Sequence, residues 1–394
     1  MRRVSIIKIY WVLLVILPFI DTLNGMVNHG GNEGGMSIGI LYRIVVLLFS
    51  LALIDKNSVN KKRALLLLTT MAIITISAVI GIDHVTGYIN KIFRLLLAII
   101  MVCSFETIYK KVDESFCHDI FNHWSFLFPI TIVVPYLMGF GFNTYGTGAA
   151  GYKGFYFAQN DIGYILAVLY LFAIFEISDK ITIKHIIVLL LLLISNVMLG
   201  LKSNYIIVAV STLGLLFVKS KKHNFHSSKI FVIGTIILSI FIIMNVYSEE
   251  ISLIINRWNY FYNNRSFVSF VTSARSDRVG PAYNWMVKNL NIVGLLFGSG
   301  IEYTFHTVST TNNIIEMDAF DVFFQMGLMG LILIYGFYFG ILKKYKFKGF
   351  YFWAFWLSIV IGTLAGHVFE SALSGMFFAL VCCGGIADSR GKKA

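Results

Sequence analysis

Lys61-Lys62-Arg63-Ala64-Leu65-Leu66-Leu67-Leu68-Thr69-Thr70-Met71-Ala72-Ile73-Ile74-Thr75-Ile76-Ser77-Ala78-Val79-Ile80-Gly81-Ile82 is a cluster of three cations followed by an unbroken apolar run. A helix needs about 20 apolar residues to cross the hydrocarbon of a bilayer, and this run has that length. Its apolarity is continuous rather than alternating, which speaks for a helix and against a strand of a membrane barrel. Similar runs recur at about 4–20, 36–54, 87–109, 119–141, 161–178, 185–200, 204–219, 229–247, 320–342, 350–365 and 368–386. Composition agrees. The 394 residues are 57% hydrophobic and 13% charged, with mean hydropathy +0.77, where a soluble domain carries about 25% charged residues. The sequence predicts an all-α polytopic membrane protein, one membrane domain over 1–394, with about twelve transmembrane helices.

The charge of +12 does not call for nucleic acid, because Lys and Arg collect in cytoplasmic loops of membrane proteins. Placing the N-terminus inside and alternating puts 21 of the 32 basic residues in inside segments, 7 outside and 4 within runs. Both termini are then cytoplasmic. Met1-Arg2-Arg3 and the following run have no small-x-small cleavage site, which predicts an uncleaved first helix. Cys103, Cys117, Cys382 and Cys383 have no metal-ligand spacing and imply no external disulfide, so packing roles are expected. Pro129 and Pro135 are expected to kink the fifth helix.

One long polar segment interrupts the pattern, 248–320, between the ninth and tenth runs. On this topology it is a large extracellular loop. Its five basic and six acidic residues nearly cancel, so its positive charge is local: Ser273-Ala274-Arg275-Ser276-Asp277-Arg278. Residues 251–262 carry aromatic and apolar side chains at spacings of three and four, which predicts a short interfacial helix. Pro281 can open a second helix, with Arg275 and Arg278 just ahead of its N-terminus, where an anion is favoured. The segment closes on Glu316 and Asp318. Two guanidiniums and two carboxylates at a membrane surface can bind a phosphate and move a proton. Neither a P-loop nor another nucleotide signature is present.

A second external stretch, 143–160, is rich in glycine and ends in Phe155-Tyr156-Phe157-Ala158-Gln159-Asn160. Aromatic faces and amides suit a sugar; an interfacial aromatic belt over a flexible turn is the plainer alternative. Arg43 and Arg94 lie inside apolar runs, where an ionisable group is costly and usually faces a cavity. For Lys91 and Lys8, snorkelling to headgroups is expected. The histidines, His367 among them, form no cluster with metal-ligand spacing, and no metal is expected.

At these residues the chain resembles the O-antigen ligase and Wzy-type polysaccharide polymerase superfamily. The resemblance is carried by Gly154–Asn160, by the turn Leu199-Gly200-Leu201-Lys202-Ser203-Asn204, by Arg275 through Trp285 with Leu296, Gly298 and Gly300, and by Glu316-Met317-Asp318-Ala319-Phe320-Asp321 with Gly327-Leu328-Met329-Gly330. It implies a GT-C-like helical fold in a bacterial cytoplasmic membrane. It also implies transfer of glycan from undecaprenyl diphosphate on the outer face, with no cofactor. Ligase-type members often carry His-Asn where this chain has Asp318-Ala319, which favours a polymerase extending capsule or exopolysaccharide on a lipid-linked repeat unit. A ligase of the same superfamily and a lipid-linked oligosaccharide flippase are the rivals. Partners implied are the lipid-linked oligosaccharide, membrane lipids and other polysaccharide-assembly proteins.

In such a reaction the leaving diphosphate gains charge, and Arg275 and Arg278 suit it because a planar guanidinium grips two oxygens at once. Lys202, Arg43 and Arg94 are further candidates for the diphosphate. Phe155, Tyr156, Gln159 and Asn160 are candidates for the glycan. Glu316 and Asp318 are the candidate catalytic base, with Asp321 and His306 behind them; an ion pair of Glu316 or Asp318 with the arginines is the alternative.

Overall fold

The computed structural model describes residues 2–28, 37–55, 61–82, 84–113, 115–145, 151–217, 234, 248–307, 311–312 and 314–389. The expected membrane helix at 229–247 lies outside these residues, except for Gly234. Four described helices are long and apolar enough to cross a membrane: Lys61–Gly81, Phe116–Leu137, Gln159–Asp179 and Asp318–Tyr345. The bent pair Ser5–Val15 and Leu17–Asn28 makes a fifth candidate, and shorter apolar helices stand at Ile38–Leu53, Ile183–Met198, Gly349–Leu364 and Ala372–Asp388. The protein is an all-α multi-pass membrane protein. Among the described residues its strand content is one two-residue pair, Phe305–His306 (β1) with Thr311–Asn312 (β2). Leu65, Leu68 and Val79 on Lys61–Gly81 stand 62%, 64% and 73% exposed, as side chains facing lipid do.

The chain packs as two compact units. The first comprises Met1–Val46 and Ser115–Tyr260. Its helices are α1 (Arg2–Val15), α2 (Leu17–Asn28), α3 (Ile38–Leu53) as far as Val46, α6 (Phe116–Leu137), α7 (Gln159–Asp179), α8 (Ile183–Met198), α9 (Lys202–Phe217) and α10 (Ser248–Asn264) as far as Tyr260. The first apolar run is not one straight helix, as expected, but two helices bent by 48°. Pro18 explains the break, because it has no N–H to offer the carbonyl of Leu14 four residues back. Trp124 Nε1 supplies the missing donor at 2.9 Å, and Tyr42 donates to Leu13 O at 2.6 Å. Helix α6 carries Pro129 and Pro135 inside one assigned helix. The carbonyl of Thr131, four residues before Pro135, is met by Gly154: a Cβ there would lie 2.9 Å from it. Buried amides join α7, α8 and α9. Asn204 donates to Gly163 O at 2.9 Å and to Asn196 Oδ1 at 2.7 Å, and Asn196 donates to Leu192 O and Leu166 O. Such bonds suit helices that have no hydrophobic drive to associate within lipid.

The second unit comprises Leu47–Glu114 and Phe261–Ala394. It holds α4 (Lys61–Gly81), α5 (Val85–Ile108), α11 (Phe267–Val271), a 3₁₀ turn (Arg275–Arg278), α12 (Val279–Phe297), α13 (Asp318–Tyr345), α14 (Gly349–Leu364) and α15 (Ala372–Asp388). Glu106 ties three helices at one end, accepting from Arg63 at 3.0 Å, Lys344 at 2.6 Å and the Tyr345 hydroxyl at 3.0 Å. Helices α12 and α13 are each broken, at Asn291 (φ 50°) and Gly327 (φ 67°). The second break frees carbonyls that must find donors away from water. Ser299 N reaches Phe324 O at 2.8 Å, Gly300 N reaches Gln325 O at 3.3 Å, and the Ser77 hydroxyl also donates to Gln325 O. Gly298 and Gly327 permit this: a Cβ on either would lie within 2.3 Å of the opposing backbone. All four cysteines are buried thiols outside any disulfide.

Candidate functional site

The polar segment is largely helical. Helix α10 covers the predicted interfacial helix, and α12 covers the one expected from Pro281. Between them Ser273 and Ala274 take left-handed conformations (φ 55° and 67°). The turn Arg275–Arg278 then runs straight into the N-terminus of α12. Both arginines close on one carboxylate in this unit. Arg275 Nε stands 3.2 Å from Glu316 Oε2, and Arg278 Nη1 stands 3.2 Å from Glu316 Oε1. Arg278 also donates to Ile314 O at 3.4 Å. Asp277 belongs to a different set, bonded to Arg265 at 3.1 Å and to the Ser269 hydroxyl at 2.8 Å. Burial alone would raise the pKa of Glu316, but the two guanidiniums outweigh it and hold the carboxyl below its ordinary value. The carboxylate sits where two forked donors converge, which is the recognition that a phosphate also meets.

Glu316 is held up from behind. Its backbone is left-handed (φ 70°). The amides on either side of it, Ile315 N and Met317 N, both donate to Asp321, at 2.6 and 2.9 Å. Asp321 is fully buried near the start of α13. One carboxylate thus spans two amides and presents the residue between them to the arginines.

Behind this lies a second cluster in the same unit. Asp318 is fully enclosed, and its Oδ2 accepts from Val368 N at 2.6 Å and Phe369 N at 2.9 Å. Its Oδ1 stands 3.5 Å from His367 Nδ1. His367 Nδ1 is also 3.9 Å from Asp321 Oδ2 and 3.9 Å from Glu370 Oε2. Lys91 Nζ meets Glu370 Oε2 at 2.5 Å and donates to Gln325 Oε1. Burial opposes a charge on His367, which lies in the turn between α14 and α15. The nearby Asp318 and the charges of Glu370 and Asp321 outweigh burial, pushing its pKa up to about 9.

His367, Glu370 and Gln325 were not singled out as site residues from the sequence. His367 and Glu370 lie about fifty residues from Asp318 and Asp321, so a search for local ligand spacing does not pair them. Polar residues in the short gap between two apolar runs were the available signal. Lys91 is a correction: it does not snorkel but is buried and paired with Glu370. Its neighbour Arg94 is the exposed one. His306 sits exposed on the short hairpin, bonded to Thr311 at 2.9 Å.

The first unit holds the other candidates. Lys202 opens α9, two residues after the left-handed Gly200 (φ 69°). The glycine-rich stretch folds onto that turn, with Tyr152 N donating to Met198 O at 2.6 Å and the Thr144 hydroxyl to Leu199 O at 2.9 Å. The two motifs are therefore neighbours. Phe155, Gln159 and Asn160 are partly buried, whereas Tyr156 is enclosed at 1% exposure, its hydroxyl 2.7 Å from that of Thr131. Tyr156 thus offers no open face for stacking in this conformation. Arg43 is buried and paired with Asp21 at 2.6 Å. A groove of about 460 Å³ between α6 and α8, lined by Phe126, Leu127, Ile187 and Lys184 among others, contains none of these residues.

Residues 6–266 match a family model described as O-antigen ligase like membrane protein. No curated protein matches the chain. The matched range takes in Arg43, Arg94, Phe155–Asn160 and Lys202, and ends before Arg275.

Proposed function

The chain belongs to the O-antigen ligase-like family of membrane proteins, and from that premise we propose that it is a Wzy-type polysaccharide polymerase. Family membership supports a membrane glycan-processing function, by ligase or polymerase. The finer reading is transfer of a growing glycan from undecaprenyl diphosphate to a lipid-linked repeat unit on the outer face of the membrane. The observation that carries it is the convergence of Arg275 and Arg278 on Glu316.

Glu316 holds the place of an anion. When the donor binds, its diphosphate takes the two guanidiniums, and Glu316 loses the charges that keep its pKa low. The acceptor hydroxyl attacks the anomeric carbon. The bond from that carbon to the diphosphate oxygen breaks, its electron pair leaves with the diphosphate, and Glu316 accepts the hydroxyl proton. Cations that meet developing charge on the leaving group lower the barrier more than they tighten ground-state binding. A carboxylate freed from its cations is a stronger base, so donor binding itself readies the proton acceptor. Asp318, with one oxygen taken by two amides, holds the 367–370 turn in this scheme. In the first unit taken by itself, Lys202 is the proposed diphosphate-binding cation and Phe155, Gln159 and Asn160 the proposed sugar-binding residues, while Tyr156 is enclosed and Arg43 is held by Asp21. Arg94 is the exposed cation of α5. The absence of His-Asn at Asp318-Ala319 supports a polymerase over a ligase.

The test is reconstitution of the purified chain with lipid-linked single repeat units and no nucleotide sugar. Growth of lipid-linked polymer is the expected result. Transfer solely to a separate, non-lipid-diphosphate acceptor would make it a ligase. Translocation of units without any new glycosidic bond would overturn the enzyme reading.

A further inference from the structure

We propose that Asp321, His367 and Glu370 form a binding site for one divalent transition-metal ion of the Zn²⁺ or Mn²⁺ type. Each residue offers one ligand atom, and the three atoms lie within 4.8 Å of one another. The distances around His367 Nδ1 separate this arrangement from an ordinary hydrogen-bond network. Asp318, Asp321 and Glu370 oxygens stand 3.5, 3.9 and 3.9 Å from it. An N–H···O bond closes at about 2.7–3.2 Å, so a proton on that nitrogen satisfies none of them well. Ligand bonds of about 2.0–2.2 Å to a shared ion place neighbouring ligand atoms roughly 3–4 Å apart, which is the spacing found from His367 Nδ1 to Asp321 and to Glu370.

A second observation adds Glu370 Oε1, an atom that none of these distances involves. Glu370 Oε1, Asp318 Oδ1 and His367 Nδ1 are buried without a hydrogen-bond partner among the described residues. Glu370 is 6% exposed and Asp318 is 0% exposed. Buried polar atoms of this kind are ordinarily satisfied. Charge points the same way: three carboxylates face Lys91 and His367, and a divalent ion that takes the place of the proton on His367 cancels the excess. Lys91 holds Glu370 by Oε2, the oxygen 3.9 Å from His367 Nδ1, and leaves Oε1 without a hydrogen-bond partner for an ion to take. The ligands are braced from behind, as metal ligands are: Asp321 by Ile315 N and Met317 N, Glu370 by Lys91. One imidazole favours Zn²⁺ over Mg²⁺ or Ca²⁺, and the carboxylates also accept the harder Mn²⁺, which serves as a paramagnetic probe. The ion touches no substrate in this proposal. It acts through Asp321, which bonds the two amides flanking Glu316, and so stiffens the segment that presents Glu316 to Arg275 and Arg278.

The test uses the purified full chain in lipid nanodiscs, stripped with a chelator and titrated with Mn²⁺, with binding followed by electron paramagnetic resonance. Expected are one saturable Mn²⁺ per chain, nitrogen coupling from an imidazole, and displacement by Zn²⁺. His367→Gln removes the nitrogen coupling and weakens binding about tenfold or more. Asp277→Asn, at an exposed carboxylate outside the cluster, changes neither. If His367→Gln does not fold, Glu370→Asp is assayed instead and must also weaken binding. Absence of saturable binding, binding without nitrogen coupling, or affinity unchanged in the cluster variants would each overturn the site. These readouts are binding measurements and stand apart from whether the chain polymerises glycan.

Discussion

The second unit holds two charge clusters, two arginines on one glutamate and three carboxylates around a histidine and a lysine, and they behave differently. In the outer one, Arg275 and Arg278 share Glu316, every charge faces an opposite charge, and the side chains are 12%, 29% and 33% exposed. In the inner one, carboxylates outnumber cations, and three atoms lack partners among the described residues. Water or an incoming anion can replace Glu316 at modest cost, because partly exposed ion pairs are weak. Nothing cheap replaces Lys91 at Glu370, because breaking a buried pair strands a charge. The outer cluster is therefore suited to exchange and the inner one to holding position.

The sharpest way to break this contrast is Lys91→Met. Removing the cation from Glu370 should cost about 3–5 kcal/mol of stability, read as thermal unfolding in nanodiscs. Adding Glu370→Gln should restore part of the loss, and a cost near zero would place the inner cluster in the same class as the outer. Next comes Arg278→Ala, expected to lower glycan transfer by about 10²–10³-fold, the usual effect of deleting a donor to developing charge. Its unfolding temperature and membrane level should stay near those of the unmodified protein. Normal polymer length in this variant would sink the assignment of the outer cluster. Arg278→Lys keeps the charge but loses the fork, and should cost about tenfold in rate, the equivalent of one charged hydrogen bond at about 1.5 kcal/mol.

The smallest effect is in Glu316 itself. Its folded pKa lies below the ordinary value of 4.5, so its ionised form is favoured in the folded protein. The stabilisation it contributes is present above its unfolded value and is lost as pH falls through the depressed folded value. Carboxyl-labelled NMR should place that midpoint below 4.5 and show it rising in Arg278→Ala.

Much of the fold is legible in the amino-acid order, because crossing a bilayer is a local demand. Continuous apolar runs, such as 64–82 behind Lys61-Lys62-Arg63, declare helices wherever they occur. The outer cluster is legible for a similar reason: Arg275 and Arg278 lie within one turn, just ahead of Pro281, and Glu316 ends the same polar segment. The inner cluster is not, since it needs α5, the start of α13 and the turn after α14 to meet. Lys91 and Arg94 show the limit well. They are three residues apart on one helix, and only packing decides that the first is buried against Glu370 while the second is exposed. Tyr156 makes the same point, since a residue type suited to stacking on sugar is turned inward to Thr131 by the fold.

The sequence by itself thus determined the membrane class, most helix positions and the pairing of two arginines ahead of a helix, all of which depend on neighbours in the chain. Tertiary structure alone decided the bend at Pro18 repaired by Trp124, the break at Gly327 and the meeting of His367 with Asp318, Asp321 and Glu370. Each of these needs a donor, acceptor or charge from a distant segment, and burial in a dry interior makes the absence of that partner costly.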